Sequence, residues 1–255
     1  MKLDAFENLV RDWTQESGDL ILRHFRASDL ATEFKADASP VTLADREAEL
    51  LLRQKIGERF PEHGILGEEF APEREDAEYV WLIDPIDGTK SFVAGVPLFG
   101  TILCLQQNER PLLGAIHLPA LQGQLLVGDG TEARLNGKPV AIRPPGPPKT
   151  RILLTSDERD VSLYQKESGW KRLLEKVAYC RTWGDCYGYY LLATGKADVM
   201  ADPIVNPWDF HAIIPILEGA RAKVTDWTGG KAVGGSSVVA ASPTIHNEII
   251  DLLNA

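Results

Sequence analysis

Trp81-Leu82-Ile83-Asp84-Pro85-Ile86-Asp87-Gly88-Thr89-Lys90 carries an apolar strand straight into two acids, a glycine and a hydroxyl. Sites in α/β folds gather at such strand ends. Asp84 and Asp87 stand three apart across a proline turn, so their carboxylates can converge on one or two hard cations, with the Ile86 carbonyl as a further oxygen donor. The spacing suits magnesium. Gly88-Thr89-Lys90-Ser91 can open a short helix whose free N–H groups face a phosphate, and Gly88 lets the backbone approach closely. The competing reading is a plain β-turn, because Asp-Pro and Asp-Gly are common turn dipeptides.

On the N-terminal side of this stretch, Phe6, Leu9, Val10, Trp13, Leu20, Ile21 and Phe25 recur at three and four residues and predict a long amphipathic helix over 5–25. A polar loop with Ser39-Pro40 follows. Thr42, with Asp45 three residues later, reads as a cap that starts a second helix running to about Phe60, so both helices precede any strand. Strands are expected over 64–67, 79–83, 98–105, 112–118, 123–127 and 139–142, the last after an Asn136-Gly137 turn. This half reads as helices on a mostly antiparallel sheet. Arg143-Pro144-Pro145-Gly146-Pro147-Pro148-Lys149 cannot continue helix or central strand and marks a boundary between halves 1–145 and 146–255. Beyond it, strands over 152–155, 177–181 and 197–201 alternate with helices over 161–176, over 186–193 and from about Asp209, the grammar of an α/β half. Ser242 and Pro243 read as the cap and first position of the last helix.

The 255 residues contain 37 acids and 27 bases, a formal charge of −10. That balance repels a phosphate backbone and argues against nucleic acid as a partner. Cys104, Cys180 and Cys186 show no paired spacing, which predicts neither a disulfide framework nor a zinc site and suits a cytoplasmic location. The stretch Met1-Lys2-Leu3-Asp4-Ala5-Phe6-Glu7 meets an acid within four residues and has no apolar core after it, so no secretory signal is expected. The longest uncharged run, Ser91 to Asn108, is broken by Gly95, Pro97 and Gly100, so no membrane span is expected. No Gly-Lys is followed by Ser or Thr, and no Gly-x-Ser-x-Gly occurs.

Two further acidic patches can complete a metal site. Glu68 follows a short apolar strand in Gly67-Glu68-Glu69, although such pairs are often solvated loop. Asp209 follows Pro207-Trp208, where an N-cap is the plainer reading. The Asp84 stretch also resembles the Asp-x-Asp-Gly-Thr signature of aspartyl-phosphate phosphatases, but its acids are three apart and no later Asp-Asp pair exists to hold a cation. A covalent phospho-aspartate mechanism is therefore disfavoured.

Taken together, Glu68, Asp84, Asp87 and Asp209 resemble the inositol monophosphatase superfamily of magnesium-dependent phosphatases. The stretch Trp81 to Phe92 resembles its first signature. Trp208-Asp209 through Glu218, then Asp226-Trp227-Thr228-Gly229-Gly230, resembles the second, although Glu218-Gly219-Ala220-Arg221 departs from the usual Glu-Ala-Gly-Gly. Lys35 to Asp45 resembles the family's early mobile loop and following helix. The resemblance implies a five-layered αβαβα sandwich of the inositol monophosphatase and fructose-1,6-bisphosphatase type, with an α+β N-terminal half and an α/β C-terminal half. The metal site would lie between the halves, in a homodimer. It further implies that Glu68, Asp84 and the Ile86 carbonyl hold one magnesium ion, and that Asp84, Asp87 and Asp209 hold a second. A third, weaker ion would order the loop carrying Lys35. Thr89, beside Asp45, and Glu68 would orient the attacking water, and the Gly88 and Thr89 amides would hold the phosphate.

Within that superfamily, Asp84 to Thr101 and Gly184-Asp185-Cys186-Tyr187-Gly188-Tyr189 resemble the histidinol-phosphate phosphatase branch. Lys90-Ser91 stands where the inositol branch carries a Thr-Asn type of pair. Histidinol phosphate brings a cationic leaving group, which gains from nearby carboxylates, and Asp185 and Asp202 are the candidates. Asp202 lies seven before Asp209, where inositol enzymes place a sugar-binding glutamate. Asp185 reads equally well as the N-cap of the helix from Cys186. The five histidines are scattered without ligand spacing, and His211 reads as orienting a helix end. The expected activity is hydrolysis of a small phosphate ester, L-histidinol phosphate first and inositol or sugar phosphates second. A catalytically silent regulator of the same fold is the third reading.

Overall fold

A computed structural model describes residues 1–27, 32–34 and 40–255. Lys35 and the rest of the 35–39 stretch, read from the sequence as a mobile loop, lie outside the described residues.

Two long helices open the chain, α1 (Leu3–His24) and α2 (Leu43–Arg59), with two short strands, β1 (Thr32–Phe34) and β2 (Pro40–Thr42), paired antiparallel between them. The sequence placed both helices before any strand. Three-residue strands carry too little alternation to be read, and the hairpin was taken for a polar loop. Thr42 and Asp45 form the expected capping box at the start of α2.

A seven-stranded sheet follows: β3 (Gly64–Gly67), β4 (Tyr79–Asp87), then, after the short helix α3 (Thr89–Val93), β5 (Gly100–Gln107), β6 (Arg110–Leu118), β7 (Gln124–Gly128), β8 (Ala133–Leu135) and β9 (Lys138–Val140). The strands lie in sequence order, and only the β3–β4 pair is parallel. Successive side chains of a strand point to opposite faces. Trp81 and Ile83 of β4 therefore pack with Phe6, Val10 and Trp13 of α1 and Leu52 and Ile56 of α2. Val80 and Leu82 face the other way, toward the C-terminal half.

That half contains β10 (Ile152–Leu154), α4 (Glu158–Tyr164), α5 (Glu167–Leu174), β11 (Tyr179–Arg181), α6 (Asp185–Ala193), β12 (Val199–Asp202), α7 (Pro207–Phe210), α8 (Ile213–Gly219), β13 (Lys223–Thr225), β14 (Val238–Ala241) and α9 (Pro243–Asn254). Its mixed sheet has the order β11-β10-β12-β14-β13. Cys186, Tyr189 and Leu192 of α6 and Ile213, Ile216 and Leu217 of α8 fill the space between the two sheets, with Leu154, Met200 and Ala240 from the second sheet. On the far face of the second sheet, Trp170, Leu173, Ile245 and Ile249 cover Leu153, Val199 and Val239. The result is the five-layered αβαβα sandwich.

One predicted helix, over 161–176, is instead two. Gln165 is extended and Lys166 restarts the chain as the N-cap of α5. Val161 and Trp170 are nine residues apart, about half a turn out of phase on a continuous helix. The break brings both into the same core. The helix expected from Asp209 is likewise two pieces, opening at Pro207 behind the cap residue Asn206.

Candidate active site

The strand ends of β3 and β4 supply the first acids. β3 pairs with β4 in parallel register, Gly67 beside Ile83, and the Glu68 N–H continues the ladder to the Ile83 carbonyl at 3.2 Å. Glu68 is thereby set next to Asp84. β4 does not end in the turn expected after Ile83 but runs on to Asp87, with a bulge against β5: Asp84 opposes Ile102, and Asp87 opposes Gly100. In a regular strand, residues three apart point to opposite faces. The extra residue in the bulge reverses that parity and re-aims a side chain, which lets Asp84 and Asp87 serve one site. Pro85 sits in the bulge, where its missing N–H is tolerated, and its carbonyl accepts from Thr101 Oγ1 at 2.9 Å.

Asp209 arrives from the other half of the chain. It is the third residue of α7 and closes a capping box with Asn206, whose N–H and Nδ2 each donate to Asp209 Oδ2 at 3.1 Å. The cap is thus Asn206, while Asp209 both completes it and reaches the site. Glu68, Asp84 and Asp209 each present a ligand oxygen within 4.8 Å of one another. Asp87 stands beside them, with Oδ2 accepting the Cys186 N–H at the start of α6. Thr89 Oγ1 donates to the Ile86 carbonyl at 2.9 Å and lies 3.5 Å from Asp45 Oδ1. Gly88 has φ of +90°, and a Cβ there would fall 2.9 Å from the Leu98 carbonyl oxygen, so only glycine suits the position.

A cavity of about 210 Å³ joins these groups; Glu68, Asp84, Asp87, Asp185 and Asp209 line it, and among the described residues Lys90 is the single basic residue of its wall. Burial, then repulsion from Glu68 and Asp87, holds Asp84 well above the ordinary carboxylate range. Burial and the charges of Asp185 and Asp209 do the same to Asp87. Asp209 is pushed up to about 7 by burial and Glu68, and Asp185 to about 6 by burial and Asp202. Asp45 is raised chiefly by burial. Every donor is an oxygen, several are half-buried or buried, and their mutual repulsion is relieved by positive charge. That chemistry fits a hard divalent cation.

Of the residues picked out in the sequence, Glu68, Asp84, Ile86, Asp87, Gly88, Thr89, Asp185 and Asp209 line the cavity, and Asp45 touches it through Thr89. Asp202 does not line it; the carboxylate is buried and bonded to Tyr189 and Ser156. Asp185 is the first residue of α6 rather than its cap, which is Gly184. His211 Nδ1 meets Gln106 Oε1 at 3.2 Å, away from the acids.

Sequence reasoning missed the support under Glu68. Glu49 is fully buried, accepts the Glu69 N–H at 2.8 Å, and pairs with Arg53 Nε at 2.7 Å. Arg53 donates in turn to Glu73 Oε1 and to the Phe70 carbonyl. The available signal was the row Asp45, Glu49, Arg53 at four-residue spacing, beside the buried row Ala44, Ala48, Leu52, Ile56.

The inositol monophosphatase family model matches residues 2–255. The histidinol-phosphatase of Chlorobaculum parvum is 36% identical over 244 residues, 95% of this chain and 94% of that protein. The histidinol-phosphatase of Mycobacterium tuberculosis is 34% identical over 241 residues, 91% of each. Among solved structures, an inositol monophosphatase from Zymomonas mobilis is 31% identical and superposes with a TM-score of 0.86, covering both chains fully.

Proposed function

We propose that this chain, which belongs to the inositol monophosphatase family and is a phosphoric monoester hydrolase, releases phosphate from L-histidinol phosphate with magnesium as its cofactor. The observation that carries the substrate is Asp185: its carboxylate lines the same cavity as the metal-binding acids, and a Cβ placed on Gly88 would lie 3.2 Å from Asp185 Oδ2. A carboxylate so close to the phosphate loop repels a phosphate unless a cation lies between them. The amine and imidazole of histidinol supply positive charge on the leaving group, where a neutral polyol does not.

Glu68, Asp84 and the Ile86 carbonyl would hold one magnesium ion, and Asp84, Asp87 and Asp209 a second. Bound magnesium supplies Lewis acidity toward the phosphoryl oxygens and a more acidic water at neutral pH. The chain's own groups do the rest. Thr89 Oγ1, whose proton goes to the Ile86 carbonyl at 2.9 Å, leaves its lone pairs toward the cavity 3.5 Å from Asp45 Oδ1, and with Glu68 these groups would orient the attacking water. The first amides of α3, at Gly88 and Thr89, have no partner inside that helix and are free to bind phosphate oxygens. Lys90 adds a positive side chain to the wall.

We further propose that the boundary between residues 145 and 146 divides the two halves of the site, and that the enzyme is a cytoplasmic homodimer. The three cysteines are free thiols, which suits a reducing compartment. The substrate is tested by Asp185→Asn: kcat/KM for L-histidinol phosphate should fall about tenfold or more, while that for inositol 1-phosphate holds or rises. Equal losses on both esters would remove Asp185 from leaving-group recognition.

A further inference from the structure

The Asp202 carboxylate is spent inside the fold. Tyr189 Oη donates to Oδ2 at 2.6 Å, and the Ser156 N–H donates to Oδ1 at 2.7 Å, with Thr155 Oγ1 at 3.4 Å from the same oxygen. The residue is 2% exposed and forms no part of the cavity wall. Both oxygens have close donors and neither turns toward a ligand.

What Asp202 holds is Ser156, and what Ser156 holds is Asp185. Ser156 Oγ accepts the Asp185 N–H at 2.9 Å. Asp185 has φ of +51°, in the left-handed region that few non-glycine residues enter and that persists only where the surroundings impose it. The two segments are in direct contact: a Cβ on Gly184 would fall 2.1 Å from Ser156 Cα. On its other side Asp185 faces Gly88 and the electrostatic reach of Lys90 and Asp87. A continuous set of hydrogen bonds therefore runs from Tyr189 and Asp202 through Ser156 to the residue whose carboxylate faces the cavity.

We infer that Tyr189, Asp202 and Ser156 are positioning residues that fix Asp185, and that of the two acids Asp185 and Asp202 only Asp185 touches the leaving group. The inference rests on the reading of Asp185 as the leaving-group carboxylate and adds how that carboxylate is aimed. Selectivity is then set by one side chain whose direction depends on buried groups with no contact to substrate.

The test is a double-mutant cycle in KM for L-histidinol phosphate on the full-length protein. Asp185→Asn should raise KM about tenfold or more, the usual loss for a hydrogen bond to a charged group. Ser156→Ala and Asp202→Asn should each raise KM in the same direction. Combined with Asp185→Asn, neither should add more than about twofold, because no carboxylate is left to aim. General structural damage would add to the Asp185→Asn effect and is separated by this readout. Multiplying effects in Asp202→Asn/Asp185→Asn would mean that Asp202 acts independently of Asp185, through the leaving group or through general structural damage, and would overturn the relay alone. Unchanged KM in Ser156→Ala would also overturn it. Unchanged KM in Asp185→Asn would overturn both the relay and the substrate reading beneath it. If Asp202→Asn does not fold, Ser156→Ala, which removes one hydroxyl from a half-buried side chain, decides the matter.

Discussion

Asp209→Asn is expected to make the protein more stable without divalent metal and less responsive to it. Asp209 titrates at about 7 against an ordinary 3.8, because burial and Glu68 oppose its charge. The folded state therefore binds this proton more tightly than the unfolded chain does. Its contribution to stability is constant below about pH 4, declines as pH rises from about 4 to 7, and is flat above. At about 1.4 kcal/mol per tenfold, the ionised carboxylate costs roughly 4 kcal/mol of folding free energy at pH 8. Asparagine keeps an oxygen to accept the Asn206 N–H, seen at 3.1 Å in the parent, and carries no charge. In chelator at pH 8 the variant should melt about 10 °C above the parent, given some 2–4 °C per kcal/mol for a chain of this size. At pH 4 the two should coincide. Histidines held below their ordinary range by burial, such as His117 at about 4, shift stability the other way below about pH 6.5, but they are common to both proteins and cancel in the comparison. Differential scanning calorimetry at pH 4, 6 and 8, with chelator and with magnesium, reads both effects. A variant that melts at or below the parent in chelator at pH 8 would refute the account of charge repulsion in the site.

Asp87→Asn should abolish magnesium-dependent phosphate release, and full retained activity would sink the two-ion arrangement. Arg53→Met strands the buried Glu49 carboxylate, seated at 2.7 Å from Arg53, and should cost about 3–5 kcal/mol by urea unfolding; a loss under 1 kcal/mol would deny that pair its role. Gly88→Ala meets the Leu98 carbonyl at 2.9 Å with φ of +90°, so it should lower stability by about 1–3 kcal/mol and lower kcat/KM as well. An alanine variant with parental kinetics would show that the loop does not need its close approach.

The acids that line the cavity were legible as candidates because the proposed chemistry fixes their type. Glu68, Asp84, Asp87 and Asp209 each follow or interrupt an apolar strand or helix start, and each lines the cavity. How they converge was not legible. The bulge that sets Asp84 and Asp87 to one site depends on pairing between β4 and β5, a long-range fact that local spacing does not contain. Asp202 shows the same limit from the other side: position relative to Asp209 suggested a substrate-binding acid, while its bonds to Tyr189 and Ser156, remote in sequence, were not legible. Likewise one helix was read over 161–176, on which Val161 and Trp170 would face opposite ways, and the core they share explains why the helix breaks at Gln165. The α1 and α2 helices, by contrast, were read to within a few residues, since their stripes and the Thr42–Asp45 box are local.

The central claim is tested most directly by phosphate release from the purified protein, with L-histidinol phosphate and inositol 1-phosphate side by side, with magnesium and with chelator. The account predicts release that requires magnesium and is faster, by kcat/KM, on L-histidinol phosphate. Preference for inositol 1-phosphate would contradict the role given to Asp185, and release that survives chelation would contradict the metal site.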